Sequence, residues 1–219
     1  MTLYIAPIVE GHTERVCLER LLHRVWLEHF SVADRLQVLP PSRGNRSSLA
    51  RVGHPELELK VNEGGTILGR YLSRNAEDRG FVLLLLDADD DCPAMLGPEL
   101  LTRAKAIRSN ADIACVLANR QLENWFVASA ASLAGVGKLP GDLVAVTDPE
   151  SGRGASWLTV QMKRLDSMSE YKKPGDALLL TQRMDLAQCR ANSPSFAILC
   201  AELEARVPPP VAPEAEVPA

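Results

Sequence analysis

Six consecutive apolar residues, Phe81 to Leu86, run without a break into Asp87-Ala88-Asp89-Asp90-Asp91. A strand buried on one face alternates apolar and polar positions. A short continuous apolar run instead reads as a strand buried on both faces, in the middle of a parallel sheet whose two sides are covered by helices. Open α/β sheets place their ligands at the carboxyl ends of strands, and this end carries four carboxylates within five positions. Like charges so close repel, and a fold tolerates them best where a cation neutralises them. Asp87 and Asp89, two apart on an extended backbone, point the same way. That is a hard-metal site in outline, with oxygen ligands suited to Mg2+ or Mn2+. Asp90 or Asp91 could cap a helix beginning near Ala94, but capping does not need four carboxylates.

Around this strand the chain alternates strand and helix patterns. Leu3 to Val9 reads as a first strand ending at Glu10-Gly11, followed by helical spacing of apolar residues from Thr13 to about Phe30. Leu36 to Leu39 reads as a second strand closed by Pro40-Pro41, and residues 41–55 as a polar loop or short broken helix. A helix follows over about 55–73, weakened by Gly64-Gly65 and Gly69. After the buried strand come a helix over about 97–109 with Pro98 in its first turn, a strand over 113–118 and a helix over 121–133. Helical stretches near 156–166, 175–189 and 195–206 complete the pattern. The predicted fold is α/β: a mostly parallel sheet of about four strands flanked by helices, over residues 1–134, with a helical C-terminal extension over 135–206 packed on it. The tail 207–219, with five prolines, is expected to be disordered.

The bulk numbers narrow the partners. A net charge of -4 gives no general attraction for nucleic acid or anionic membrane, so any nucleic-acid contact has to come from a local basic patch or a partner. No apolar stretch reaches transmembrane length and no signal peptide is recognisable, so a cytoplasmic, membrane-free protein is expected. The five cysteines are widely and irregularly spaced with no Cys-x-x-Cys pair, which fits reduced thiols rather than zinc ligands or disulfides. Self-association as a homo-oligomer is compatible with all of this.

Two further acidic elements follow strands. The first is Glu10-Gly11-His12-Thr13-Glu14, where Glu10 ends the strand and Glu14 lies in the first turn of the next helix. Taken alone these are a surface acid and a helix-dipole acid. The second is Gln121-Leu122-Glu123-Asn124-Trp125-Phe126, where Glu123 could be a helix-start acid beside core aromatics. Three strands each followed by acid are harder to dismiss than any one. The best local basic patch is Arg43-Gly44-Asn45-Arg46-Ser47-Ser48 with Arg51, which either holds a phosphate backbone through Arg forks or is a solvated loop. No Walker A pattern occurs.

A first strand ending in Glu-Gly and a buried strand ending in Asp-x-Asp are similar to the Toprim domain of topoisomerases, primases and nucleases of the overcoming-lysogenization-defect (OLD) group. The chain looks closer still to an uncharacterised bacterial family of Toprim-like proteins, through Val9-Glu10-Gly11-His12-Thr13-Glu14, Asp87-Ala88-Asp89-Asp90-Asp91-Cys92-Pro93 and Gln121-Leu122-Glu123-Asn124-Trp125. Tyr171-Lys172-Lys173-Pro174-Gly175-Asp176 and Met184-Asp185-Leu186 also fit. The resemblance implies a metal-dependent nuclease in which Glu10, Glu14, Asp87, Asp89 and Glu123 hold Mg2+ or Mn2+, with Glu10 also a general base. From the residues themselves, Lys172 or Lys173 would either stabilise transition-state charge near the metals or be solvated at a helix start, and Arg43, Arg46 and Arg51 are the candidates to hold the substrate. Gln121 departs from the OLD-type pattern, which has a small polar residue there. The resemblance also implies DNA or RNA as substrate, a separate ATPase of the AAA or ABC type as partner, and bacterial anti-phage defence as the setting. The competing expectations are a non-catalytic Toprim-like subunit of an ATPase complex and a phosphatase acting on small phosphoesters.

Overall fold

The computed structural model describes residues 1–207. The strands are β1 (Thr2–Val9), β2 (Arg35–Val38), β3 (Ser42–Arg43), β4 (Arg79–Asp87) and β5 (Ile113–Ala118). The helices are α1 (His12–Arg24), α2 (Arg46–Ala50), α3 (Glu56–Leu72), α4 (Pro93–Ile107), α5 (Asn124–Ala128), α6 (Gly154–Lys163), α7 (Gly175–Arg183), α8 (Leu186–Asn192) and α9 (Pro194–Glu204). All pairings in the five-stranded sheet are parallel, in the order β2-β1-β4-β5, with β3 also beside β1.

The edge beside β1 is one strand position in two pieces. β2 pairs with Thr2 to Ile5 and β3 with Ile8 and Val9, and the break falls at Pro40-Pro41, which have no N–H to donate. Carbonyls of Ile5 and Val9 accept from Leu39 and Gly44 on this edge. Pro7, midway between them, therefore turns its own missing donor toward the break. The proline that would damage a central strand sits where no bond is available.

Strand periodicity divides the continuous apolar run of β4 between two cores. Phe81, Leu83 and Leu85 face a layer that includes Leu18, Leu22, Trp26, Trp125, Leu158, Leu180, Phe196 and Leu203. Val82, Leu84 and Leu86 face Leu57, Val61, Leu68, Leu100 and Ala104 of α3 and α4. The first of these cores runs from Leu3 to Leu203, so the C-terminal helices share it with the sheet. Gly64 and Gly65 do not weaken α3. Both are buried inside the continuous helix: a Cβ on Gly64 would make ordinary contact with Val82 at 3.4 Å, and one on Gly65 would lie 2.4 Å from the Arg108 Nε that covers it.

Several boundaries differ from expectation. The helix after β4 begins at Pro93, not near Gly97, because Pro93 takes the first helical position, and Pro98 lies inside it with its carbonyl accepting the Thr102 hydroxyl. The helix expected over 121–133 is a tight turn at 121–123, then α5 and a short 3-10 turn, Ala130–Leu133. The stretch 175–189 is broken at Met184-Asp185, where Asp185 caps α8 by accepting the Gln188 N–H at 2.8 Å. Val207 packs against the core, and the remainder of the Pro-rich tail lies outside the described residues. Among those residues no helix is long and apolar enough to cross a membrane, and the five cysteines are free.

Candidate functional site

The carboxyl ends of β1, β4 and β5 lie side by side in the sheet, and each delivers acid to the same place. β1 ends at Val9, and Glu10 is half-buried just beyond it. Gly11 precedes α1, whose first turn carries Glu14, buried at 3% exposure. A Cβ on Gly11 would lie 2.2 Å from Glu14 Oε2, so the Glu14 carboxylate folds back over the glycine and would have to shift for any larger residue there. Asp87 closes β4. Its Oδ1 accepts the Leu122 N–H at 2.8 Å, which ties the end of β4 to the turn after β5. Residues 121–123 close as a tight turn through i to i+3 bonds from the Asn124, Trp125 and Phe126 N–H groups to the carbonyls of Gln121, Leu122 and Glu123, and Asp87 satisfies the Leu122 N–H that this turn leaves free. Glu123 follows in the same turn, with no exposed surface.

Glu123 is held from the segment between α6 and α7. The Tyr171 hydroxyl donates to Glu123 Oε1 at 3.2 Å, and Lys173 Nζ lies 2.7 Å from the same oxygen. Glu123 Oε2 and Glu14 Oε2 are buried with no hydrogen-bond partner, as is Gln121 Oε1. Buried polar atoms are almost always satisfied, so these orphaned oxygens mark a place poised for another group.

The electrostatics agree. Burial pushes the Asp87 carboxyl up to about 8, helped by the charges of Glu14 and Glu123, while the Leu122 N–H and Lys173 oppose the rise. Burial also raises Glu14, against backbone N–H groups and Lys173, with Glu123 adding to the rise. Glu10 is raised by burial, then by Asp89 and Glu14, with Arg46 and Lys173 opposing. Lys173 itself is pushed up: burial works against its charge, but Glu123, Asp87 and Glu14 outweigh it. Burial and Glu123 likewise raise the Tyr171 hydroxyl, so it remains a proton donor to Glu123.

The structure thus brings together Glu10, Glu14, Asp87, Glu123 and Lys173. Asp89 reaches the group through its charge on Glu10. It sits in the left-handed region at φ 51°, which aspartate tolerates, with its N–H bonded to the Arg120 carbonyl at 2.9 Å. Lys172 does not join: its side chain is exposed, and its backbone bonds to Asp176, the N–H donating to the carboxylate at 2.7 Å and the carbonyl accepting the Asp176 N–H at 3.0 Å. Asp90 and Asp91 do more than start a helix. No side chain caps α4; Asp90 pairs with Arg120 at 3.1 Å and Arg153 at 3.3 Å, and Asp91 pairs with Arg46.

Arg46 corrects a further expectation. Its guanidinium donates to the carbonyls of Asp87 at 3.0 Å and Ala88 at 2.7 Å and pairs with Asp91, so it clamps the acidic turn rather than reaching for a phosphate. Arg43 is exposed, with Nε 3.3 Å from the Glu10 carbonyl, and it lines a cleft of about 380 Å³ with Glu10, Gly11, Gly44 and Asn45. Arg51 is exposed at the far end of α2, where its carbonyl accepts from Arg103. Of the basic patch, Arg43 alone opens onto the acidic cleft.

Tyr171 stands in a stretch that fits the resembled family, but its role was not legible in the sequence because its partner Glu123 lies 48 residues away. Glu150 was missed altogether. It is buried, accepts the Ser193 hydroxyl and, at 2.5 Å, that of Ser195, and takes the Asn119 amide at 3.3 Å. With these donors it is satisfied and holds the start of α9 beside β5.

The donor set around Asp87 is all oxygen, and its orphaned atoms fit a hard cation in chemistry. As they stand, no three Asp, Glu, His or Cys side chains among the described residues are close enough to hold a metal ion. The turn carrying Glu123 is itself locked from behind: the Gly154 N–H donates to Asn124 Oδ1 at 2.6 Å, and a Cβ on Gly154 would lie 2.5 Å from the Glu123 carbonyl carbon. Gly154→Ala is expected to cost about 3 kcal/mol in a urea melt, because backbone rather than a flexible side chain has to move.

No curated protein and no solved structure matches this chain. A model described as a domain of unknown function, DUF4276, matches residues 9–204, a span that includes Glu10, Glu14, Asp87, Asp89, Glu123, Tyr171 and Lys173. The chain belongs to the DUF4276 family.

Proposed function

We propose that this protein is a metal-dependent, Toprim-like nuclease related to the OLD-type enzymes, hydrolysing phosphodiesters of DNA or RNA. The observation that carries the reading is the convergence of Glu14, Asp87 and Glu123, with Glu10 beside them, at the carboxyl ends of three neighbouring parallel strands, with two of their buried oxygens unpartnered. Glu14, Asp87, Asp89 and Glu123 would hold Mg2+ or Mn2+. When bound, such ions supply Lewis-acid stabilisation of phosphate charge and a more acidic water. Glu10 stands half-buried at the cleft with a raised carboxyl, suited to taking a proton from water at its carboxylate oxygen. Arg43, which lines the same cleft beside Glu10, would hold a neighbouring phosphate, and Lys173 neutralises Glu123 in the metal-free site. Tyr171 keeps its proton on the Glu123 side, so water is the attacking group. The reading places the protein in the bacterial cytoplasm, acting in anti-phage defence with a separate ATPase of the AAA or ABC type.

The second reading is a non-catalytic subunit of an ATPase complex, favoured by the lack of a ready three-ligand cage among the described residues. The deciding experiment incubates purified protein with Mn2+ and single- or double-stranded DNA or RNA, with and without the ATPase partner. The nuclease reading expects cleavage by the wild type and none by the Asp87→Ala/Asp89→Ala variant. Silence in every arm, together with no Mn2+ binding by calorimetry, favours the subunit. Release of inorganic phosphate from small phosphoesters points instead to a phosphatase.

A further inference from the structure

The carboxylate cluster already contains one cation, and it belongs to the chain. Lys173 Nζ lies 2.7 Å from Glu123 Oε1, and its charge acts on Glu10, Glu14 and Asp87 as well. We propose that Lys173 is a tethered counter-ion that fills the cation position of this cluster, and that a divalent ion binds by displacing it. The inference rests on the metal-dependent reading above and adds to it how the site stays stable and selective before metal arrives.

Three observations carry it. The single ammonium faces the buried carboxyl groups of Glu14 and Glu123 and the partly buried one of Asp87, more acid than one positive charge can match, so a doubly charged ion has a larger attraction for the same place. The ammonium serves one side only: Glu123 Oε1 has both Lys173 and Tyr171 as donors, while Glu123 Oε2 and Glu14 Oε2 have none. The side chains are also unequally free to move. Lys173 is 41% exposed while Glu123 is fully buried, so the lysine swings outward on its four-carbon stem without unpacking the core, whereas the glutamate stays fixed by Tyr171. Lysine departure leaves the carboxylates repelling one another unless a divalent ion draws them together.

The test measures Mn2+ binding by calorimetry on chelator-stripped wild type, Lys173→Met and Lys173→Arg at one pH. Removing the competing charge is expected to tighten Mn2+ binding about tenfold or more, while the charge-retaining arginine binds no more tightly than wild type. Lys173→Met should also melt at a lower temperature than wild type without metal and gain more on Mn2+ addition. Equal or weaker binding by Lys173→Met overturns the counter-ion role and leaves the nuclease reading standing; no Mn2+ binding by wild type or Lys173→Met overturns both. A measurement on the wild type guards against a variant that fails to fold. Acylation of lysine amines, read by mass spectrometry, should accelerate several-fold at Lys173 on Mn2+ saturation while Lys172 is unchanged. An unchanged Lys173 rate contradicts displacement.

Discussion

Asp87→Asn is expected to abolish metal-dependent cleavage, by about 10³-fold or more, while leaving the protein as stable as wild type or more stable at neutral pH. The two effects have one cause. Asp87 is the most strongly perturbed carboxyl of the cluster, pushed up to about 8 by burial and by Glu14 and Glu123, so its ionised form is held at an energetic loss. Asparagine keeps an oxygen to accept the Leu122 N–H, which preserves the turn between β4 and Glu123, and removes the charge that burial opposes. A residue that weakens the metal-free fold and is essential to activity is the pattern of a site built for a ligand. Cleavage rates with Mn2+ and urea melts in chelator check both halves. Retained activity contradicts the assignment, and a parallel loss of stability makes Asp87 structural.

Metal-free wild type is expected to lose stability as pH rises, relative to Asp87→Asn. The Asp87 carboxyl titrates near 3.8 in the unfolded chain and near 8 in the fold. Between those values the native state binds the extra proton, so this group's contribution is full below about 4 and lost as pH rises through about 8. Glu10 and Glu14 are shifted in the same direction and add to the trend. Lys173 does not oppose it, because its ordinary value of 10.5 already lies above this window and its surroundings raise it further, so its charge is constant across the range. The difference between 3.8 and about 8 sets a ceiling of about 5 kcal/mol, and the part between about pH 5.5 and 8 is about 3 kcal/mol. Urea melts in chelator across that range should show the wild-type midpoint falling relative to the variant. Saturating Mn2+ should flatten the wild-type curve, since a bound cation favours the ionised carboxyl. Parallel curves for the two proteins overturn the assignment of the shift to Asp87.

Much of the fold was legible because the strands speak plainly. The runs ending at Val9, Asp87 and Ala118 are apolar, short and bounded by turn residues, and only a parallel sheet covered on both faces accommodates them. The edge was less legible: Ser42-Arg43 is too short to show a period, and only the break at Pro40-Pro41 explains it as the continuation of β2. Helix boundaries moved where capping and turn geometry outweighed apolar spacing: Asp185 caps α8 and cuts one predicted helix into two, and residues 121–123 close a tight turn before α5.

The site divides along the same line. Strand ends and their acids are local in sequence, so Glu10, Asp87 and Glu123 could be singled out from pattern alone. Arg46 could not be judged from its neighbours, because its partners are carbonyls and an aspartate some forty residues later in the chain. Lys172 and Lys173 are equivalent in the sequence. The backbone course before α7 turns one toward Glu123 and leaves the other in solvent.

By itself, the sequence determined that this chain forms a parallel α/β sheet with acid at the carboxyl ends of its central strands, because periodicity and strand-end chemistry are written within ten residues. Tertiary structure alone decided which acids share one electrostatic environment, which lysine neutralises them and which arginine clamps the turn. Those are distances between residues as far apart as Glu10 and Lys173, and charge coupling depends on separation and burial in space, which no local pattern encodes.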